Sequence, residues 1–332
     1  MEALPQDPTV AAEHRCRAVV ATGYGGPEVL AVVAIDRPTP GPGQVLVEVH
    51  AASANPYDHK VYSGAFGSDP NALPLRLGSE VAGVVAEVGE PPTGFAVGDP
   101  VIAHPVRGGY ACHVLAEAAN VFALPGTLPV EQAAGLLLTG TTAAHLLAAV
   151  GGGGDVGVGD TVLVHGAAGG VGSMATQLAV VRGARVIGTA SPARQDAVRA
   201  LGGEPVAYGR GETTLAERVR ALAPDGVDAA LDTVGTDEAI DTSLDLVADR
   251  RRIATIAAFG RAPALGIHLL GHGPGADPGT ALRAAARADL VALAAAGRLA
   301  VTVDRVLPLE EVAAAHAHLA SGHARGKVIL RP

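Results

Sequence analysis

The chain has 332 residues and a formal net charge of -9, from 24 Lys and Arg against 33 Asp and Glu. That length exceeds one ordinary core and points to two domains, and an acidic balance without any basic run argues against a nucleic-acid partner. The two cysteines, Cys16 and Cys112, exclude a disulfide framework and a four-thiolate zinc site but not a single disulfide, and such thiol usage reads as cytoplasmic.

The first eight residues lack the basic and apolar regions of a secretion signal, and residues 1–15 read as a disordered extension. From Cys16 to about residue 125, short apolar runs alternate with Gly/Pro punctuation. Residues 18–20, 45–50, 81–88 and 99–103 are predicted strands, separated by Pro38, residues 40–43, Pro91 with Pro92, and Gly108 with Gly109. Many short strands at this spacing predict a barrel-like β domain. Residues 129–150 turn helical. The stretch 133–150 is the most membrane-like, but Thr139, Gly140, Thr141, Thr142 and His145 interrupt it, so a buried helix and no membrane span is expected. Aromatics are 3% of the chain and tryptophan is absent, so the core must pack small side chains.

After the glycines at 151–154, strands and helices alternate. Strands are predicted at 162–165, 185–189, 205–208, 227–232 and 252–256, with helices from Gly172 and at 192–201, 214–223 and 238–248. This alternation predicts a parallel sheet covered on both faces, an α/β class. The stretch 261–279, with His268 and His272, reads as a loop bordering a substrate cleft. It leads to an Ala/Leu helix at 281–296, and the chain closes strand–helix–strand at 301–307, 310–319 and 327–330.

One junction carries the strongest chemistry. The run 161–165 feeds the turn Gly166-Ala167-Ala168-Gly169-Gly170-Val171-Gly172, which opens a helix. Glycine permits a sharp turn and lets backbone approach a diphosphate, and the helix N-terminus offers unpaired N–H groups to phosphate. Gly166, Ala168, Gly169, Gly170, Val171 and Gly172 are therefore candidate dinucleotide ligands. A tight turn without a ligand is the alternative, since Ala167 stands where the G-x-G-x-x-G pattern wants its first glycine. After the second strand, an NAD-binding unit carries a carboxylate for the ribose 2′-hydroxyl. Here the chain reads Thr189-Ala190-Ser191-Pro192-Ala193-Arg194, with no carboxylate. A hydroxyl and a guanidinium suit a 2′-phosphate, so NADPH is expected over NADH; a plain N-cap and a solvated arginine are the alternatives.

The order β domain, dinucleotide unit, short return segment resembles the medium-chain dehydrogenase/reductase superfamily, specifically its zinc-free, quinone oxidoreductase-like branch. The matching residues are 23–30, Asn55-Pro56-Tyr57-Asp58 with Ser63 and Gly64, 77–85, 94–101, 138–145, 166–172, 232–235 and 322–327, spanning nearly the whole chain. The resemblance implies a GroES-like β-barrel domain from residues 1–138 and 280–332, and a Rossmann doubly wound parallel sheet over 139–279. It implies Asn55 near the nicotinamide ribose, Thr141 beside the ribose or diphosphate, and Thr233 and Gly235 under the ring. Phe259 would follow the fifth strand, and Lys327 would close the site. Tyr208 is either a neighbour of the adenosine phosphate or an ordinary strand-end aromatic. The family's basic residue commonly falls one position after Arg194, where this chain has Gln195. The resemblance also implies a homodimer paired through the edge strand of the nucleotide sheet.

Zinc-dependent relatives carry cysteine near the position of Asn55 and Gly-His-Glu where this chain reads Gly78-Ser79-Glu80, so no metal is expected. Glu80 becomes a buried partner for a nearby donor. Without a Lewis acid a simple alcohol is a poor hydride donor. A conjugated carbonyl already spreads the developing charge, leaving the protein to position the hydride donor and acceptor. The expectation is an NADPH-dependent, zinc-independent reductase of a quinone or an α,β-unsaturated carbonyl (enone). Asn55, Lys60 and Tyr62 are the catalytic candidates, the last two as proton donors on a loop-and-strand segment unless Lys60 is merely solvated. The rival readings are a scaffold or biosynthetic tailoring protein that holds NADPH without turnover, and a carbonyl reductase.

Overall fold

In the computed structural model the first unit comprises Met1–Leu138 with Val303–Pro332, and the second Thr139–Thr302. The structure describes residues 15–90, 94–151, 156–209 and 211–332. Residues 1–14 of the expected N-terminal extension, the Pro91-Pro92 punctuation and glycines 152–154 lie outside the described residues, whereas Arg15, expected in that extension, already belongs to a strand.

The first unit opens with eight strands: β1 (Arg15–Ala21), β2 (Leu30–Asp36), β3 (Gln44–Ala54), β4 (Leu75–Arg76), β5 (Val81–Val88), β6 (Pro100–Ala103), β7 (His113–Glu117) and β8 (Val121–Ala123). β1 pairs antiparallel with β2 and β4 to make a three-stranded sheet. β3 is the long central strand of the other sheet, pairing antiparallel with β5 and β7, and its register against β5 shifts twice. Where the pattern predicted a strand over 45–50, β3 runs on to Ala54 and delivers Asn55 at its end.

The next segment differs from the sequence reading. Residues 56–62 form a helix, α1 (Pro56–Tyr62), rather than loop and strand. Pro56 presets the first helical turn, and the Asp58 carboxylate reaches back to accept the Asn55 N–H at 3.0 Å. The helical stretch after 129 breaks at Gly135 into α2 (Val130–Ala134) and α3 (Leu137–Ala149).

The second unit is built on β9 (Thr161–His165), β10 (Arg185–Ala190), β11 (Glu204–Ala207), β12 (Ala229–Asp232), β13 (Ile253–Thr255) and β14 (His268–Leu269). All pairings are parallel, in the order β11-β10-β9-β12-β13-β14. This is the doubly wound order, with its topological switch point between β9 and β12. The near-continuous burial of β9 and β12 follows from helices on both faces. The helices are α4 (Gly170–Val181), α5 (Gln195–Ala200), α6 (Leu215–Leu222) and α7 (Asp237–Leu246). The stretch 261–279 is not all loop, since it holds α8 (Ala262–Leu265) and the edge strand β14. A two-residue strand is too short to show a period in sequence.

Helix α9 (Thr280–Ala295) packs within the second unit, where the sequence reading assigned residues from 280 onward to the first. Its Leu290 lies against Gly140, and its Arg283 guanidinium donates to Thr142 Oγ1 at 3.1 Å. The chain then returns to the first unit through β15 (Val303–Pro308), α10 (Val312–Ala320) and β16 (Lys327–Arg331). β16 pairs parallel with β15 and antiparallel with β3, placing Val328 opposite Ala54. The resulting seven-stranded sheet runs β15-β16-β3-β5-β6-β8, with β7 on β3, and does not close on itself among the described residues. Among these residues no helix is long and apolar enough to cross a membrane.

Candidate functional site

The glycine turn of the second unit is shaped by close backbone approach. Gly166 has φ +74°, and a Cβ there would stand 2.6 Å from Val234 Cγ1. A Cβ on Gly172, in the first turn of α4, would stand 2.1 Å from the Gly166 carbonyl oxygen, so helix and strand can meet only if this residue is glycine. Gly169 caps α4 without a side-chain bond. The first N–H groups of α4 are thus left for an anion, the cradle a diphosphate requires.

The turn is tied to the end of β10. Gly166 N–H donates to Thr189 Oγ1 and Ala167 N–H to the Thr189 carbonyl, both at 3.0 Å. Ser191 and Arg194 follow directly, each half-buried, on a short 3-10 turn at Pro192–Arg194. Ser191 makes no side-chain cap bond, which leaves its hydroxyl for another partner. Tyr208 sits one residue past β11 and is 52% exposed.

Asp232, buried at the end of β12, builds the neighbouring turn. It accepts the Val234 N–H at 3.0 Å, the Gly235 N–H at 2.9 Å and the Thr255 hydroxyl at 2.6 Å. Thr233 Oγ1 donates to the His165 carbonyl at 2.7 Å, while Val234 stands 46% exposed. Asp232 has a structural role that the sequence reading left unassigned; the sign for it was an Asp ending a buried strand just before Thr-Val-Gly, the setting of an Asx turn. Burial drives His165 down to about 4. Phe259 packs on the second unit's core and against Gly273. Thr141 is buried within α3.

The first unit gathers the other candidates. Asn55 Nδ2 donates to the Ser53 carbonyl at 2.9 Å and to Glu80 Oε1 at 3.2 Å, and Asn55 Oδ1 accepts from Lys327 Nζ. Lys327 also donates to Glu80 Oε1 at 3.1 Å, and Glu80 Oε2 accepts the Leu138 N–H at 2.8 Å. All three side chains are buried. The strand pairing of Val328 with Ala54 is what sets Lys327 beside Asn55.

Beneath Asn55, Asp58 accepts from Gly78 N–H at 3.2 Å and from the Tyr110 hydroxyl at 2.8 Å. Burial nevertheless pushes Asp58 up to about 6. Lys60 and Tyr62 part company on α1. Lys60 is half-buried and its ammonium is lowered by desolvation. Tyr62 is fully buried with its hydroxyl lacking a hydrogen-bond partner, set edge-on to the rings of His59 and His316 at 5.1 and 5.3 Å. Burial pushes that phenol to about 12.

A zinc ion does not fit here. The positions that hold it in zinc-dependent relatives carry the Asn55 amide and the Ser79 hydroxyl, and the Lys327 ammonium already bridges Asn55 Oδ1 and Glu80 Oε1. A second cation would face that charge with no thiolate or imidazole at either position.

Two family models match the chain: the alcohol dehydrogenase GroES-like domain over residues 41–225 and the zinc-binding dehydrogenase over residues 201–330. A quinone oxidoreductase of Pseudomonas aeruginosa is 36% identical over 330 residues, 93% of this chain and 97% of its own. A mycobacterial structure complexed with NADPH is 32% identical, with a TM-score of 0.81 over 96% of this chain and 100% of that one. The structure of an NAD-dependent alcohol dehydrogenase is 31% identical, with a TM-score of 0.83 over 95% of this chain and 99% of that one.

Proposed function

The chain belongs to the medium-chain dehydrogenase/reductase superfamily, in its zinc-free quinone oxidoreductase-like branch, and from that premise we propose an NADPH-dependent reductase of quinones or α,β-unsaturated carbonyl compounds. As a member it is an oxidoreductase that uses a nicotinamide coenzyme on a small-molecule substrate. The observation that carries the finer reading is the Gly166 turn with Ser191 and Arg194 directly after β10, where no carboxylate opposes a 2′-phosphate.

Bound NADPH would supply the hydride from its nicotinamide ring. The N–H groups of Gly170, Val171 and Gly172 would hold the diphosphate, the Gly169 N–H being taken by the Gly166 carbonyl, and Ser191 and Arg194 would hold the 2′-phosphate through charge-assisted bonds. Thr233 and Gly235 support the ring side on the turn that Asp232 braces, with Thr141, Tyr208 and Phe259 as further coenzyme neighbours. Lys327 spends two of its three N–H donors on Asn55 and Glu80, leaving one for a ribose hydroxyl beside Asn55. Hydride addition to a conjugated acceptor creates an enolate or phenolate, which then takes a proton. Lys60, its ammonium made more acidic by desolvation, is the donor in this reading. The enclosed Tyr62 hydroxyl is not.

Fluorescence titration of the coenzyme-free protein should show tighter binding of NADPH than NADH, and an NADH preference would overturn the Ser191/Arg194 assignment. NADPH consumption with a panel of quinones and enones, followed by product analysis, separates alkene from carbonyl reduction. Absence of turnover with every acceptor would return the scaffold reading. The reading includes a homodimer paired along the edge of the parallel sheet; light scattering at monomer mass would remove it.

A further inference from the structure

β1 meets the segment entering β7 at one backbone bridge, Ala18 opposite Ala111, and the Cys112 N–H donates to the Arg17 carbonyl at 3.0 Å. This crossing assembles a cluster that shares no residue with the coenzyme and substrate groups described above. The Sγ atoms of Cys16 and Cys112 and a ring nitrogen of His113 all lie within 4.8 Å of one another. Both cysteines are free thiols, Cys16 buried and Cys112 half-buried.

Three details distinguish this cluster from chance packing. Backbone N–H groups point at both sulfurs, Arg17 N–H to Cys112 Sγ at 2.9 Å and His113 N–H to Cys16 Sγ at 3.2 Å. Such donors stabilise thiolate and recur around metal-bound sulfur. Both thiol protons turn to a single acceptor, the Arg17 carbonyl, at 3.3 Å each, although it already accepts the Cys112 N–H. His113 Nδ1 is buried without a hydrogen-bond partner. The cluster thus holds two loosely satisfied thiols and a buried imidazole nitrogen with nothing to bind.

We propose that Cys16, Cys112 and His113 bind one thiophilic divalent cation of the zinc type, with water entering beside Cys112 as the fourth ligand. Two metal–sulfur bonds of about 2.3 Å at a tetrahedral angle put the sulfurs about 3.8 Å apart, so the present spacing needs a contraction of roughly 1 Å at most. On binding, each thiol gives its proton to solvent, two S–H···O bonds are exchanged for metal–sulfur bonds, and the two thiolates balance the ion's charge. The Arg17 carbonyl keeps the Cys112 N–H, and both N–H···S bonds persist. Because β1 belongs to the three-stranded sheet and β7 to the seven-stranded one, the ion fastens the two sheets of the first unit together.

The test uses the full chain, purified reduced and metal-free. Titration with zinc alone should show one ion per chain. Cobalt should give thiolate-to-metal charge-transfer bands and a tetrahedral ligand-field spectrum. Cys112→Ser and His113→Gln should each weaken zinc at least tenfold while circular dichroism is unchanged. Zinc should also shield Cys112, the accessible thiol of the pair, from a thiol reagent in the unmodified chain, a readout that stands if a variant fails to fold. No uptake, uptake undiminished in folded variants, or a Cys112 that stays reactive in zinc would each overturn the proposal.

Discussion

Replacing Lys327 by methionine keeps most of the side chain's volume and deletes the charge around which Asn55 and Glu80 are arranged. The ammonium lies 3.1 Å from Glu80 Oε1, with the two side chains 7% and 1% exposed. At an effective dielectric of about 20, unit charges at that distance attract by about 5 kcal/mol. Methionine leaves the Glu80 carboxylate buried with the Asn55 amide and the Leu138 N–H as its donors among the described residues. An orphaned buried charge of this kind costs about 3–5 kcal/mol. Adding Glu80→Gln removes the orphaned charge, so the double variant should be more stable than Lys327→Met alone, with a coupling of about 1–3 kcal/mol. Far-UV circular dichroism in urea gives the free energies, and hydrogen exchange along β3 and β16 assigns the loss to the first unit. A loss under about 1 kcal/mol for Lys327→Met, or a double variant no better than the sum of the singles, would refute this account of the cluster.

Other outcomes follow from the same geometry. Arg194→Ala should weaken NADPH by at least tenfold, the worth of a charge-assisted bond, and leave NADH unchanged; equal losses in a binding titration would contradict the 2′-phosphate role. Gly172→Ala must place a Cβ against the Gly166 carbonyl, so a thermal melt should fall by an amount equivalent to several kcal/mol and coenzyme binding should vanish, whereas a neutral effect would show that the turn has slack. Desolvation holds His316 at about 4 against an ordinary 6.5, so below 6.5 the unfolded chain takes up a proton that the folded one refuses, and stability falls as pH drops from 6.5 to 4. His316→Phe should flatten that acid slope in melts at pH 5 and 7. Asp58 acts in the opposite sense, because its folded value of about 6 lies above 3.8 and acidification through that window favours the folded state. Asp58→Asn should therefore steepen the acid slope, and a slope unchanged in either variant would remove that residue from the account.

What could be read in advance was local. The turn at Gly166 announces itself because strand, glycines and helix are consecutive, and the missing carboxylate after Thr189 needs only a count along the chain. α1 is hidden in the sequence because Asn55-Pro56 is also good turn chemistry, and only the structure shows Asp58 folding back on the Asn55 N–H. The Asn55–Glu80–Lys327 cluster rests on the pairing of β16 with β3, which no spacing reveals. Cys16, Cys112 and His113 likewise meet only where two strands cross, so metal-ligand spacing rules had nothing to detect. Asp232 ends a predicted strand, yet its task is visible only once Thr255 is beside it.

The pairing of β16 between β15 and β3 also sets a timetable for synthesis. The second unit, continuous in sequence, can complete its sheet while still tethered to the ribosome. The first must wait, because its central strand lacks a neighbour and Glu80 lacks its counter-ion until Lys327 emerges. The seven-stranded sheet is therefore completed last, around a central strand made early in synthesis.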